Sequence, residues 1–328
     1  MRLFSAKILI LITLIFAATL SARADEAFET WLSDLRADAL DAGISAETVS
    51  IALSNVQLRE KVVKYDRNQP EFKLTYDRYM RNVVPASRVE EGKRKLAENE
   101  ALLQEIGEYF NVQPRYIVAL WGIESSFGRH TGGFSVINAL ASLSYDGRRA
   151  KFFRKELLSA LRIIDEGHIS YPSMKGSWAG AMGQCQFMPS SFLAYAYDWD
   201  KDGKQDIWGN QADIFASIAN YLKNAGWRDE LTWGREVKLP SHMKSKAVSM
   251  ADDKIRKSMD EWRMMGITNP DGSPLPKRNL TSRLVLPDGL EGPAFIVYAN
   301  FDATLRWNRS NYFALAVGAL SDAMAYSR

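Results

Sequence analysis

The sequence is poor in the residues on which several large enzyme classes depend. It has one cysteine, Cys185, so an intramolecular disulfide is excluded and the fold must be stabilised by packing. Its three histidines, His130, His168 and His242, do not form a His-Glu-x-x-His zinc motif. A Gly-Lys-Ser/Thr phosphate loop and a dinucleotide-binding glycine fingerprint are also missing. We therefore expect neither nucleotide nor nicotinamide chemistry and no organic cofactor.

An excess of one charge is also missing, since 42 Lys and Arg residues face 39 Asp and Glu residues. Three of the basic residues, Arg2, Lys7 and Arg23, precede the first acidic residue, Asp25, in a segment that we expect to be removed. The mature chain is then formally neutral. This balance argues against a nucleic-acid partner, which would be bound by neutralising its phosphates.

Long apolar runs are confined to the N-terminus. A basic start is followed by an apolar run from Ile8 to Leu20 and by Ala22-Arg23-Ala24, the pattern of a secretory signal and its cleavage site. The run of thirteen residues is shorter than the roughly 20 that span a bilayer. We predict a signal peptide over residues 1–24 and no transmembrane span in the mature protein. Because no cysteine lies near the cleavage site, we expect a soluble periplasmic protein and not a lipoprotein.

Helical periodicity dominates the chain up to about residue 230. One helix is expected to begin at Pro114, a favoured first residue, and to end before Gly128, a favoured C-terminal cap. Short β-like runs at Arg235 to Leu239, Ser282 to Leu286 and Phe295 to Tyr298 follow, separated by turns. We predict a mainly α protein with a helical region over 25–230, a small β-containing subdomain over 231–300, and a C-terminal segment, 301–328, that packs back on the helices.

Glu124 occupies an unusual position in the helix that starts at Pro114. The residues three and four positions before it, Trp121 and Leu120, are apolar, which places the carboxyl group on the inward face. It also lies in the last turn, where the helix dipole disfavours a negative charge. Both effects raise the pKa of a carboxyl group, as a general acid at a glycosidic bond requires. A structural glutamate paired with a buried arginine is the alternative.

The segment from Gly176 to Ser190 combines small residues with amides and aromatic rings. Small residues let a backbone approach a ligand closely, while Gln184, Gln186 and Trp178 offer groups that bind sugar hydroxyls and sugar faces. The composition suits a carbohydrate cleft, although a tight loop packed in the core has the same composition.

The segment from Asp198 to Asp206 resembles the first half of an EF-hand calcium loop. Asp198, Asp200 and Asp202 take positions one, three and five, and Gly203 takes position six. Gly209 stands where the bidentate glutamate of such loops usually lies. Because all available ligands are oxygen atoms, we predict a structural Ca²⁺ site. Its expected ligands are Asp198, Asp200, Asp202, Lys204, Asp206 and the closing Asp213.

Six ordered segments, taken together, resemble the lytic murein transglycosylases of the B family (glycoside hydrolase family 103). These segments are Ala119 to Gly128, Arg148 to Ala150, Gly176 to Ser191, Asp198 to Trp208, Ser217 to Leu222 and Leu305 to Ser310. The resemblance implies a lysozyme-like helical catalytic domain with an N-terminal helical region and a small β-containing subdomain. It also implies peptidoglycan glycan strands as the partner.

The family cleaves the β-1,4 bond between N-acetylmuramic acid and N-acetylglucosamine and leaves a 1,6-anhydro end. The resemblance implies that Glu124 is the single catalytic residue, acting first as acid and then as base. It further implies that the glycan and its peptides are bound by Arg148, Arg149, Ser177, Gln186, Tyr221 and Asn308.

Three alternatives stay open at the level of sequence. A hydrolytic muramidase would need a second carboxylate, for which Asp146 is the nearest candidate in the sequence. A peptidoglycan-binding module would keep the cleft without catalysis. A calcium-regulated interaction protein would change shape when the metal binds.

Overall fold

The structure is a computed structural model that describes residues 26–68 and 74–325. The predicted signal peptide lies outside these residues. Within them the protein is mainly helical, as predicted, with helices α1 (26–41), α2 (Ala46–Leu53), α3 (Glu60–Arg67), α4 (Tyr76–Val83), α5 (Ala86–Glu98), α6 (Glu100–Phe110), α7 (Pro114–Ser125), α8 (Val136–Asp146), α9 (Ala150–Asp165), α10 (Pro189–Tyr195), α11 (Gln211–Asn224), α12 (Lys244–Met250), α13 (Met259–Met264), α14 (Ala299–Trp307) and α15 (Asn311–Ala325). The strands are β1 (Phe134–Ser135), β2 (Lys175–Gly176), β3 (Gly234–Val237), β4 (Lys257–Ser258), β5 (Thr281–Val285) and β6 (Ala294–Val297).

The chain forms two compact units. The first contains the described residues up to 68, residues 132–181 and residues 188–193. Its centre is the antiparallel pair α8 and α9, against which α3 and α2 pack. The side chain of Ser135 caps α8 by accepting a hydrogen bond from the backbone N–H of Asn138, and Gly147 ends the helix in the left-handed conformation.

The second unit contains residues 74–131, residues 182–187 and the described chain from residue 194 onward. Helix α7 is central in it, because α15, α5, α11 and α6 all pack against it. The C-terminal helix α15 thus covers α7 and α5 with a buried face that includes Phe313, Leu315 and Leu320. Among the described residues, no helix is both long and apolar enough to cross a membrane.

Four antiparallel strands in the second unit form a sheet in the order β3-β6-β5-β4. The three predicted β-like runs are strands, each beginning one residue earlier than predicted. The short strand β4 and helices α12 and α13 were not predicted. These helices cover the sheet around a core of buried side chains that includes Trp262, Leu284 and Ile296.

Helix α7 begins at Pro114 and ends before Gly128, as predicted, but it ends at Ser125 and its C-terminal cap is Ser126 instead of Gly128. Ser126, Phe127 and Gly128 all adopt left-handed backbone conformations, with φ values of 51°, 59° and 84°. The N–H of Ser126 donates to the carbonyls of Gly122 and Trp121, which ends the helix before the glycine is reached. Consecutive left-handed non-glycine residues are strained and are held only where the surroundings enforce them.

Candidate active site

Glu124 lies in the last turn of α7, next to a run of buried residues from Tyr116 to Gly122. Its side chain is only partly exposed. Burial of the carboxyl group raises the pKa of Glu124 to about 7, and a hydrogen bond from Trp307 opposes this rise. The predicted rise in the pKa of Glu124 is therefore confirmed, and the protonated carboxylic acid is well populated near neutral pH.

Trp307, the last residue of α14, is the hydrogen-bond partner of Glu124. Its indole Nε1 donates to Oε1 of the carboxyl group at 2.7 Å. The indole ring packs against Tyr221 and Phe187, with ring centroids 4.6 and 5.1 Å away. Trp307 lies in one of the segments that resemble the family, but its neighbour Asn308 is the residue that was predicted to bind substrate. The available signal was the position of Trp307 in an otherwise polar stretch. A tryptophan has one hydrogen-bond donor, its indole N–H, and this donor requires an acceptor.

Tyr221 and Asn308 lie near this contact and support the backbone around it. The hydroxyl of Tyr221 donates to the carbonyl of Arg306 at 2.7 Å. Burial raises the pKa of Tyr221 to about 12, so its phenol stays protonated. Asn308 is exposed, and its Oδ1 accepts a hydrogen bond from the backbone N–H of Ser310 just before α15.

The loop formed by residues 182–187 lies beside α7. The side chain of Gln184 accepts a hydrogen bond from Trp121 Nε1 at 2.8 Å and donates to the carbonyl of Trp208 at 2.9 Å. Gly128 has a φ of 84°, and a Cβ there would lie 2.2 Å from Oε1 of Gln184, so a larger residue would strain the backbone and displace this amide. Gln186 Nε2 donates to the carbonyls of Thr131 and Gly183, so this amide holds the loop. The sequence predicted Gln184 as a group that binds sugar hydroxyls. Its contact with Trp121 was not predicted, since Trp121 is 63 residues away in the sequence.

Arg148 and Arg149 belong to the first unit and share one buried partner, Asp66. Nε of Arg148 lies 2.5 Å from Asp66 Oδ2, and Nη2 of Arg149 donates to Asp66 Oδ1. The hydrogen bonds from Arg148 hold the pKa of Asp66 below its usual value, against the effect of burial. The two arginine side chains remain 49% and 41% exposed. They therefore anchor α3 next to α8 while keeping donors that face solvent.

Ser177 also lies in the first unit, directly after β2. Its Oγ accepts hydrogen bonds from the backbone N–H groups of Ala179 and Ala181. These bonds fix the tight turn from Ser177 to Ala181, and the hydroxyl hydrogen of Ser177 remains a potential donor.

The aspartate-rich loop brings Asp198, Asp200 and Asp202 together. One carboxylate oxygen from each lies within 4.8 Å of the others, as a shared cation requires. Oδ1 of Asp198 is buried and has no hydrogen-bond partner. Lys201 and Gly203 adopt left-handed conformations, with φ values of 61° and 90°, which turn the chain around this group. A buried carboxylate oxygen without a partner is costly unless an ion satisfies it, so these residues fit a bound cation.

Asp213 and Asp206 have other contacts. The two carboxylate oxygens of Asp213 accept hydrogen bonds from the backbone N–H groups of Trp199 and Asp206, at 2.7 and 2.8 Å. Asp206 Oδ1 accepts from the N–H groups of Trp208 and Gly209. Asp213 is buried, and this burial raises its pKa to about 6. The two residues thus close the loop through its backbone, and their role as metal ligands stays a prediction.

Comparison with known proteins gives consistent matches over most of the chain. The family described as "Transglycosylase SLT domain" matches residues 27–322. "Membrane-bound lytic murein transglycosylase B" of Escherichia coli is 32% identical over 257 residues, which cover 76% of this chain and 68% of that protein. SltB3 of Pseudomonas aeruginosa, solved in complex with NAG-anhNAM-pentapeptide, is 43% identical with a TM-score of 0.87, covering 91% of this chain and 79% of SltB3. The E. coli lytic transglycosylase Slt35, solved in complex with calcium, is 28% identical with a TM-score of 0.77, covering 90% of this chain and 92% of Slt35.

The mainly helical fold, which is shared with the solved lytic transglycosylase structures, defines a lysozyme-like enzyme. The chain belongs to the SLT transglycosylase domain family, whose matched region spans most of its length. It is therefore a lytic transglycosylase.

Proposed function

We propose that this enzyme cleaves the β-1,4 bond between N-acetylmuramic acid and N-acetylglucosamine in peptidoglycan and leaves 1,6-anhydro-muramoyl ends. The observation that carries the proposal is the half-buried carboxyl group of Glu124, whose pKa of about 7 suits both donation and acceptance of a proton. The structures of SltB3 with muropeptide fragments support the choice of substrate.

The reaction needs one carboxyl group in two successive roles. Glu124 gives its proton to the glycosidic oxygen as the bond from C1 to that oxygen breaks. The resulting carboxylate then takes the proton of the C6 hydroxyl group as the C6 oxygen bonds to C1. Water is neither consumed nor released, so the products have the same total mass as the substrate.

The surroundings of Glu124 favour this route over hydrolysis. Burial raises the pKa of Glu124, the hydrogen bond of Trp307 opposes that rise, and no carboxylate among the described residues contributes to it. A two-carboxylate hydrolase places its second carboxyl group about 5–10 Å away, where it would affect the first. Asp146, the sequence candidate, forms an ion pair with Arg67 at 2.5 Å in the first unit.

We also propose binding roles for six residues. Gln186, Tyr221 and Asn308 lie in the second unit, as does Glu124, while Arg148, Arg149 and Ser177 lie in the first. The exposed guanidinium donors of the two arginines suit carboxylates on the peptides of the substrate. Tyr221 and Asn308 suit sugar hydroxyls at the end of α14.

A Ca²⁺ ion is proposed to bind Asp198, Asp200 and Asp202, with the backbone carbonyl of Lys204 as a further ligand. Asp206 and Asp213 are proposed to complete the site. The buried Oδ1 of Asp198 and the calcium complex of Slt35 support this assignment. The ion would neutralise the repulsion among the aspartates and stabilise the loop.

For the whole protein we propose export, removal of residues 1–24 and a soluble periplasmic location. The N-terminal sequence pattern supports this proposal. The proposal predicts that the mature protein appears in the osmotic-shock fraction with an unmodified N-terminus. Recovery in detergent-extracted membranes after a salt wash would contradict it.

The catalytic proposal is tested by release of soluble fragments from purified peptidoglycan sacculi. We expect the wild-type protein and Asp146→Asn to release fragments at similar rates, and Glu124→Gln to release none while remaining folded by circular dichroism. Equal activity of Glu124→Gln and wild type would contradict the role of Glu124. Loss of turnover in folded Asp146→Asn would favour a hydrolase, and no release by folded wild type would favour a binding module.

A further inference from the structure

The two oxygens of the Glu124 carboxyl group have different surroundings. Oε1 accepts the indole hydrogen bond of Trp307 at 2.7 Å. Within the described part of the chain, Oε2 makes no hydrogen bond, and the side chain is partly exposed. One oxygen is therefore occupied by the protein, while the other is available to a substrate.

The indole group is fixed in place by its neighbours. The hydroxyl of Tyr221 holds the carbonyl of Arg306, the residue before Trp307, and the N–H of Asn308 donates to Thr304 at 3.1 Å. The rings of Tyr221 and Phe187 pack on the indole ring. Because both the backbone and the ring are held, the donor is aimed at Oε1 before any substrate binds.

We propose that Trp307 is the positioning residue of the reaction and that it reserves Oε2 of Glu124 for proton transfer. This inference rests on the proposed function. A proton leaves Oε2 for the glycosidic oxygen as the bond to C1 breaks, and it stays on the hydroxyl group that is released. Oε2 then takes up a second proton, that of the C6 hydroxyl, as the C6 oxygen bonds to C1. The indole N–H stays on Trp307 throughout and stabilises the carboxylate formed between the two steps.

The other ionisable groups described around α7 do not take the place of Trp307 as the partner of Glu124. Burial raises the pKa of the Cys185 thiol well above its usual value, and Tyr221 titrates only at about 12. The charged groups on helices packed against α7 do not contribute to the pKa of Glu124. Among them are Arg88 and the other charged residues of α5, the glutamates of α6, Asp213 and Lys223 of α11, and Asp322 of α15.

The first test follows the indole N–H of Trp307 by ¹⁵N NMR as the pH is raised. We expect this resonance to shift with a midpoint near pH 7, the pKa of Glu124, and to lose that midpoint in Glu124→Gln. Trp227 is the matched control, since its Nε1 donates to Gln113 Oε1 at 2.9 Å. A Trp307 resonance that does not shift when Glu124 ionises would overturn the proposal. This readout does not require turnover, so it stays informative if the proposed function fails.

The second test compares Trp307→Phe with Trp227→Phe in pH profiles of kcat on sacculi. Loss of the indole N–H removes a donor to the carboxylate, so the basic limb of Trp307→Phe should move up by about one pH unit. We expect kcat to fall about tenfold with KM little changed, and Trp227→Phe to keep the wild-type profile. An unshifted profile in folded Trp307→Phe, whether or not activity falls, would show that the ring serves packing alone.

Discussion

At the scale of single residues, Glu124 should make the fold less stable as the pH rises. Its pKa in the folded protein is about 7, above the ordinary value of 4.5, so the native state holds the proton more tightly than the unfolded state. The free energy of unfolding therefore falls as the pH rises from 4.5 to above 7, by up to about 3 kcal/mol. Glutamine carries no charge and avoids this loss.

Urea unfolding of wild type and Glu124→Gln at pH 5 and pH 8 checks this prediction. Relative to the wild type, Glu124→Gln should have a higher free energy of unfolding at pH 8 than at pH 5. The control is Glu105→Gln, which replaces an exposed glutamate. The difference between its free energy of unfolding and that of the wild type should be the same at pH 5 and pH 8. A pH-independent difference for Glu124→Gln would contradict the raised pKa.

At the scale of elements, the pairing of Asp66 with Arg148 and Arg149 joins α3 to the end of α8. The Asp66 side chain is 1% exposed and its pKa is lowered, so its contribution is full above the unfolded pKa of 3.8 and lost as the pH falls through the lower folded value. We expect Asp66→Ala to lower the free energy of unfolding at pH 7 by about 2 kcal/mol.

Asp146→Ala is the matched control, because Asp146 pairs with one largely exposed arginine, Arg67. Its loss should cost under about 1 kcal/mol. Equal effects of the two variants in denaturant unfolding would contradict the structural role of Asp66.

The aspartate-rich loop is the second element whose proposed role can be tested, through the effect of calcium on the Tm. If Ca²⁺ binds it, chelation should lower the Tm by about 5 °C without changing the radius of gyration. The Asp198→Asn variant should lose this difference between calcium and chelator, whereas Asp271→Asn, in an exposed turn, should keep it. A Tm that does not respond to calcium would contradict the site. A large change in shape would favour a calcium-regulated interaction protein.

At the scale of the whole molecule, the features that depend on local sequence patterns were predicted, whereas the contacts between segments distant in the sequence were not. The mainly helical fold, the start of α7 and the three β-like runs follow from periodicity, Pro114 and turn residues, which act over a few positions. The inward position of Glu124 follows from the same spacing. Trp307 lies 183 residues from Glu124 in the sequence, and Asp66 lies 82 residues from Arg148. No local pattern specifies such pairs, so the partner of the acid and the buried partner of the two arginines were not predicted.

The central claim is that the substrate's own C6 hydroxyl, and not water, closes the reaction under the control of Glu124. Mass spectrometry of fragments released from sacculi in H₂¹⁸O tests it most directly. We predict 1,6-anhydro muropeptides that are one water lighter than hydrolysis products and carry no ¹⁸O, and that are absent with Glu124→Gln. Reducing ends that contain ¹⁸O would contradict the account and identify the enzyme as a hydrolase.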